Sequence, residues 1–139
     1  MGSCLGIAIW DPIAKVGGLL HAMLPESATA PEKAAANPSM FVDTGVPALF
    51  QEAYSLGAEK ARLSVRVAGG ATLQVAGESH FQVGQRNITM LRKLFWKNGV
   101  LIHDQDLGGG LARTLTLDVE SGEAWLKTEN GTRALAGRR

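Results

Sequence analysis

Residues 2–24 read GSCLGIAIWDPIAKVGGLLHAML and contain two apolar runs separated by the turn sequence DPIAK. The first run, LGIAIW at 5–10, ends at an Asp-Pro pair, which is typical of turns because proline restricts its own backbone and that of the preceding residue. The second run, VGGLLHAML, covers 16–24. Two apolar runs joined by a short turn predict a buried β-hairpin.

Outward from this hairpin, the apolar spacing becomes helical. The stretch FVDTGVPALFQEAYSLGAE has apolar residues at i, i+3, i+4, i+7 and i+8 and predicts a helix with Asp43 or Thr44 as its N-cap, Pro47 in its first turn and Gly57 at its end. A second helix is predicted over RNITMLRKLFWKNG. Strands are predicted for ARLSVRVAGG, VLIH, RTLTLDV and EAWLKT, the last two joined at an ESG turn. Strands gathered toward the two ends of the chain favour an α+β fold.

The composition is that of an ordinary globular protein. With 139 residues, 45% of them hydrophobic and 19% charged, the chain is expected to form one domain over 1–139. The polar, Ala- and Pro-containing segment 26–39 predicts a mobile loop, and the tail 131–139 is predicted to be frayed.

Charge and cysteine content exclude several classes of protein. A net charge of +1 gives no general attraction to nucleic acid or to an anionic membrane surface. A single cysteine excludes an internal disulfide framework, and no His, Asp or Glu cluster has metal-ligand spacing, so no metal or cofactor is expected. Since no apolar run is long enough to cross a membrane and no signal sequence is found, we expect no membrane insertion and a cytoplasmic location.

Cys4 and His21 are the residues in the hairpin that could carry chemistry. From residue types alone, a lone cysteine and a histidine among leucines are more often core residues than a catalytic pair. If the two runs pair antiparallel, however, His21 returns to the level of Cys4, where an imidazole could activate a thiol. The other histidines, His80 in GESHFQVG and His103 beside Asp104, are interpreted as non-catalytic.

Taken together, an ordered series of motifs resembles the CheD family of chemoreceptor glutamine deamidases. Each motif alone is weak, but their order along nearly the whole chain is specific. The motifs are GSC at 2–4, DP.AKVGG..H.MLP at 11–25, F.DT..P at 41–47, GA....RL at 57–63, GGA at 69–71, VGQRN at 83–87, D.GG at 106–109, Arg113 and SG at 121–122.

The resemblance implies a fold and an activity. The fold would be a three-layer α/β/β sandwich with mixed, mostly antiparallel sheets and two main helices. The activity would be hydrolysis of selected glutamine side chains of methyl-accepting chemotaxis receptors, with Cys4 as nucleophile, His21 as base and a thioester intermediate. Backbone N–H groups around Ser3, with Gly2 as a small neighbour, would support the oxyanion. A second implied partner is the CheY-phosphate phosphatase CheC.

The family also has a threonine, on a strand ahead of the cysteine, that orients the histidine. This sequence begins three residues before Cys4, so we expect that N-terminal strand to be missing, with Thr44 or Asp43 as a substitute orienter. An incomplete site leaves a second hypothesis, a non-catalytic module that binds CheC and receptors. A third hypothesis, an unrelated thiol hydrolase, fits the ordered motifs poorly.

Overall fold

The computed structural model describes residues 1–72 and 82–137, so His80 lies outside the described residues. Within these ranges the chain forms seven strands and three α-helices. The strands are β1 Leu5–Asp11, β2 Val16–Ala22, β3 Ser64–Gly69, β4 Asp104–Leu107, β5 Thr114–Leu117, β6 Ala124–Thr128 and β7 Gly131–Leu135, and the helices are α1 Pro31–Ala36, α2 Val42–Ser55 and α3 Val83–Asn98. None of these helices is both long and apolar enough to cross a membrane.

The strands form two separate sheets. The larger sheet has the order β2-β1-β3-β4, in which β1 pairs antiparallel with both neighbours and β3 pairs parallel with β4. The smaller sheet, β5-β6-β7, is antiparallel throughout. The predicted hairpin is confirmed as β1–β2, and the predicted ESG turn does join β5 to β6.

The alternation of large and small residues in β1 explains why the larger sheet is covered on both faces. Leu5, Ile7 and Ile9 are fully buried in a cluster with residues of α2 and α3. On the opposite face, Ala8 packs with Leu115 and other residues of the smaller sheet. Small side chains on this second face let the two sheets approach closely. The predicted three-layer α/β/β arrangement, with two main helices, is therefore confirmed.

A buried arginine crosses from the larger sheet to the smaller one. Arg66 on β3 is 2% exposed and donates through Nη2 to the Gly122 carbonyl at 2.7 Å and through Nη1 to the Leu135 carbonyl at 3.4 Å. Burial lowers the pKa of its guanidinium, and the charge of Asp104 acts in the opposite direction. Arg66 thus ties β3 to both the ESG turn and β7.

Two segments predicted to be irregular contain regular structure. Segment 26–39 holds α1 and two single turns of 3₁₀ helix, at 27–29 and 38–40. The tail predicted to be frayed contains β7, which pairs along its length with β6. Neither α1 nor most of β7 buries side chains, so neither has the apolar periodicity from which it could have been predicted.

Some predicted boundaries were also wrong. Helix α2 begins at Val42 after Phe41, so neither Asp43 nor Thr44 caps it, and Pro47 falls in its second turn. Strand β4 begins after His103, whereas the prediction placed a strand over VLIH at 100–103. The ends of both main helices were predicted correctly, because glycines with positive φ follow them at positions 57 and 99.

Candidate functional site

The β1–β2 ladder brings Cys4 and His21 to one end of the hairpin. His21 is the register partner of Gly6, and the last pair of the ladder is Leu5 with Ala22. Residues directly opposite in an antiparallel pair share a face of the sheet, and so do residues two apart along a strand. Cys4 directly precedes β1 and lies two residues from Gly6, so extension of the strand pattern by one residue would place it on the same face as His21.

Both side chains reach the surface at this end of the sheet. Cys4 is a free cysteine of intermediate exposure, and His21 is exposed. Strand β2 is the edge strand of the larger sheet, and Leu19 and Met23, on the same face as His21, are 51% and 48% exposed. Helix α2 packs against the opposite face of β2, where a Cβ at Gly18 would lie 2.7 Å from the Leu49 side chain. At β2, the sheet face that carries His21 is therefore exposed to solvent.

The backbone of residues 2–4 is held by hydrogen bonds to three successive carbonyl groups. The Gly2 carbonyl accepts from the backbone N–H of Ala71 at 3.0 Å, and the Cys4 carbonyl accepts from the N–H of Gly70 at 2.9 Å. The Ser3 carbonyl accepts from Nδ2 of Asn87 at 3.0 Å. These bonds fix the backbone of residues 2–4, which includes Cys4, against the interior of the protein.

Two glycines allow helix α3 to lie against this segment. A side chain at Gly84, in the first turn of α3, would overlap the carbonyl groups of Gly70 and Ala71. Gly70 has a φ of +67°, and a Cβ there would lie 2.6 Å from the Ile88 side chain. The sequence motifs GSC, GGA and VGQRN therefore meet in space, and close backbone approach is the physical reason for their glycines.

A buried arginine supports the same region from the other side. Arg113 is 6% exposed; its guanidinium donates to the carbonyls of Gly69 and Gly108 and pairs with Asp106, with Nε 2.9 Å from Oδ1. Its backbone N–H donates to the Met1 carbonyl at 2.8 Å. The Arg113 and D.GG motifs thus connect the residues before Cys4 to the end of β3.

Hydrogen bonds hold the predicted orienters, Thr44 and Asp43, away from His21. The Thr44 hydroxyl donates to the Pro38 carbonyl at 2.6 Å, and the Asp43 carboxylate accepts from the backbone N–H and the hydroxyl of Ser27. Both residues belong to α2, which covers the sheet face opposite His21. The ladder register places His21 opposite Gly6, two residues after Cys4, whereas the side chains of Thr44 and Asp43 are bonded to Pro38 and Ser27.

The arrangement suits thiol chemistry on a side chain presented from outside. A half-buried cysteine, an exposed histidine near the same end of the hairpin and a fixed backbone are what a cysteine nucleophile with its base requires. Among the described residues no group of three His, Cys, Asp or Glu could hold a metal ion.

Sequence reasoning missed the structural roles of Asn87 and Arg113. Both residues stood in motifs that the sequence analysis quoted, but their partners are remote: Asn87 and Ser3 are 84 residues apart. A polar residue at a buried helical position was the available signal for Asn87, because such a residue needs a hydrogen-bond partner in the interior.

Comparison with known proteins gives one family. The family model for CheD chemotactic sensory transduction matches residues 23–128. Cys4 and His21 precede that range.

Three curated relatives align over nearly the whole chain. A probable chemoreceptor glutamine deamidase CheD 1 of Syntrophus aciditrophicus is 49% identical over 94% of this chain and 81% of its own length. Probable chemoreceptor glutamine deamidases CheD of Solibacter usitatus and Desulforamulus reducens are 44% and 38% identical, over 94% and 92% of this chain and 76% and 77% of their own lengths.

Proposed function

The chain belongs to the CheD family, and we propose that it deamidates selected glutamine side chains of methyl-accepting chemotaxis receptors. The observation that supports the proposal is the β1–β2 register, which sets the exposed His21 opposite Gly6, two residues after the half-buried Cys4. Relatives named as deamidases suggest the reaction class, and this register supports Cys4 as nucleophile and His21 as base.

Activation of the thiol is the first step of the proposed reaction. An ordinary cysteine has a pKa of about 8.5, so only a few per cent of it is thiolate at neutral pH. His21 takes the proton of Cys4 and holds the thiolate beside the resulting imidazolium. The thiolate then attacks the carbon of the glutamine carboxamide, and the carbonyl π electrons move onto the oxygen.

Backbone N–H groups of Ser3 and Cys4 would stabilise that oxygen as its charge develops. The carbonyls of Gly2, Ser3 and Cys4 are already bonded to the protein interior, which fixes the direction of the intervening amides. Gly2 adds no side chain that would obstruct a substrate. One such N–H donor typically contributes about 3–4 kcal/mol to stabilisation of the transition state.

Collapse of the tetrahedral intermediate breaks the C–N bond. The His21 imidazolium gives its proton to the departing nitrogen, so ammonia leaves and a glutamyl thioester with Cys4 remains. His21, now neutral, removes a proton from water, whose oxygen attacks the thioester carbon. The C–S bond breaks, the imidazolium returns its proton to the sulfur, and glutamate is released from the regenerated enzyme.

Membership of the CheD family also supports a proposal about partners. We propose that the receptors are substrates and that the CheY-phosphate phosphatase CheC binds this chain. The second candidate function, a non-catalytic module that binds CheC and receptors, shares these partners and differs only in lacking the reaction.

Incubation of the purified chain with a receptor cytoplasmic fragment tests the proposal. Ammonia release and the mass increase that accompanies conversion of an amide to an acid should both appear and should agree in amount. Cys4→Ser, in which an oxygen replaces the sulfur, should abolish both signals and leave binding of the receptor fragment and of CheC unchanged.

A matched control is Ser39→Ala, which removes an exposed hydroxyl outside this site. It should react at the wild-type rate. If the wild-type chain binds its partners but releases no ammonia, the binding-module function is correct and the deamidase proposal is wrong. Full activity in Cys4→Ser would instead show that the nucleophile is another residue.

A further inference from the structure

Asn87 forms a bridge between the strand that carries Cys4 and the strand that carries His21. It lies in the first half of α3 and is fully buried. Its Nδ2 donates to the Ser3 carbonyl at 3.0 Å and to the Met23 carbonyl at 3.1 Å. A side-chain amide nitrogen carries two hydrogens, so both are used in these bonds.

The bridge lies where the hairpin ladder has ended. The last register pair of β1 and β2 is Leu5 with Ala22, and the backbone N–H of Met23 turns away to the Met40 carbonyl at 2.8 Å. Continuation of the register by one pair would place Cys4 opposite Met23. At the level of the thiol, the Asn87 amide therefore takes the place of direct pairing between the two strands.

The remaining atom of the amide shows that packing alone does not explain the residue. Asn87 Oδ1 is buried and has no hydrogen-bond partner among the described residues. A buried acceptor without a partner is unfavourable, and a leucine of similar volume would avoid it. Rotation of the amide by a half-turn would place Oδ1 against two carbonyl oxygens, so the observed orientation is the one that the bridge requires.

We propose that Asn87 is a positioning residue for the Cys4–His21 pair, an inference that rests on the proposed deamidase function. Its amide fixes the Ser3 carbonyl and the Met23 carbonyl at one separation, and so sets the distance between the thiol and the imidazole beyond the end of the ladder. Asn87 acts through these two backbone groups and takes no part in the chemistry.

The test compares Asn87→Leu and Asn87→Ala with the wild type. Cys4 is the only cysteine, so alkylation by iodoacetamide reports on its thiolate alone. In both variants the rate of alkylation at pH 7 should fall by up to about tenfold, because the imidazole no longer lies at the right distance to take the thiol proton. On receptor fragment, kcat should fall up to about a hundredfold while KM changes little, since the bridge is remote from substrate.

Leu91→Ala is the matched control for a purely structural effect. Leu91 lies one turn further along the same buried face of α3, so its truncation lowers the melting temperature without removing either hydrogen bond. All measurements are made well below the melting temperature of each variant. The control should keep the wild-type alkylation rate and kcat.

Two results would overturn the positioning role. One is an unchanged alkylation rate in folded Asn87→Leu; the other is an equal decrease of that rate in Leu91→Ala. Asn87→Leu keeps the buried volume, so the comparison remains available if Asn87→Ala fails to fold. Alkylation needs no receptor, so it decides the role of Asn87 even if the wild-type chain releases no ammonia, which would refute the proposed function separately.

Discussion

His21 lies directly across the β1–β2 ladder from Gly6. Because Gly6 has no side chain, its position on β1 provides no cross-strand side-chain contact for His21. A Cβ at Gly6 would lie 2.7 Å from the Met1 sulfur and 3.1 Å from the Leu115 side chain, so the space above this glycine is already filled from the smaller sheet side. A side chain at position 6 would therefore have to displace the Met1 and Leu115 side chains on this face of the sheet.

Removal of the imidazole should slow the reaction of the thiol. In His21→Ala, Cys4 loses the imidazole that is proposed to take its proton, so the rate of alkylation at pH 7 should decrease about tenfold. A rate at pH 7 equal to that of the wild type would remove His21 from the proposed mechanism. His21 is exposed, so the fold should be unaffected.

A side chain at Gly6 should disturb the pair more than it disturbs the fold. Gly6→Ala forces the Met1 and Leu115 side chains to move next to His21, so we expect lower kcat on receptor fragment and slower alkylation of Cys4. Gly18→Ala on the same hairpin is the control, because its Cβ would also lie 2.7 Å from a side chain, that of Leu49, on the opposite face. Both variants should unfold at lower urea concentration. An equal loss of kcat in the two variants would mean that crowding anywhere in the hairpin lowers activity, and that the position of Gly6 beside His21 is not the cause.

The hairpin and the two main helices could be predicted because they depend on local patterns, whereas the layer order was implied by the family resemblance. The apolar runs of β1 and β2 flank an Asp-Pro turn, and the residues of α2 and α3 recur at helical spacing. By contrast, β7 has one buried residue, Leu135, and α1 has none. Backbone pairing with β6 forms β7, and such pairing leaves no mark on the composition of the strand.

The same distinction between local patterns and long-range contacts applies to the candidate site. Cys4 and His21 lie in one hairpin, so a single register places both. Asn87 donates to backbone carbonyl groups 84 and 64 residues away. Because every residue has a backbone carbonyl, the sequence does not indicate which ones Asn87 would bind. Asp43 and Thr44 were predicted as substitute orienters, whereas their side chains form hydrogen bonds with Ser27 and with the Pro38 carbonyl, in the segment between β2 and α2.

The ESG turn should be intolerant of any side chain at its glycine. Gly122 has a φ of +79°, and a Cβ there would overlap the ring of Trp10. Gly108 has the same φ, but nothing lies within 4 Å of its Cβ position. Gly108→Ala should therefore lower the free energy of unfolding only by the cost of the left-handed backbone, about 1–2 kcal/mol. Gly122→Ala should lower it by about 1–3 kcal/mol more.

Urea unfolding of the two alanine variants measures this difference directly. Since both positions have the same positive φ, the difference between the two free energies of unfolding reports chiefly on the contact of the ESG turn with Trp10. Indistinguishable free energies of unfolding would mean that the Trp10 ring moves aside without cost.

A buried carboxylate at the β1–β2 turn should make stability depend on pH. Asp11 is fully buried and pairs with the Arg62 guanidinium, with Nη2 2.9 Å from Oδ2; it also accepts from the backbone N–H groups of Ile13, Ala14 and Glu59. The hydrogen bond from Arg62, foremost, and those from Ala14 and Ile13 lower the pKa of Asp11 below its ordinary 3.8, although burial opposes them.

A lowered pKa means that the folded protein releases the Asp11 proton more readily than the unfolded chain does. The carboxylate therefore stabilises the fold fully above pH 3.8, and this contribution is lost as the pH falls through the lower pKa of the folded state. Asp11→Asn should cost about 2–3 kcal/mol at pH 7, and its deficit against the wild type should shrink below pH 3.8. Urea unfolding at a series of pH values measures the deficit. The control is Glu129→Gln, which replaces an exposed acid in the β6–β7 turn. It should have the wild-type free energy of unfolding at pH 7 and in the acid range. A deficit that stayed constant from pH 7 into the acid range would show that the charge of Asp11 does not hold the turn.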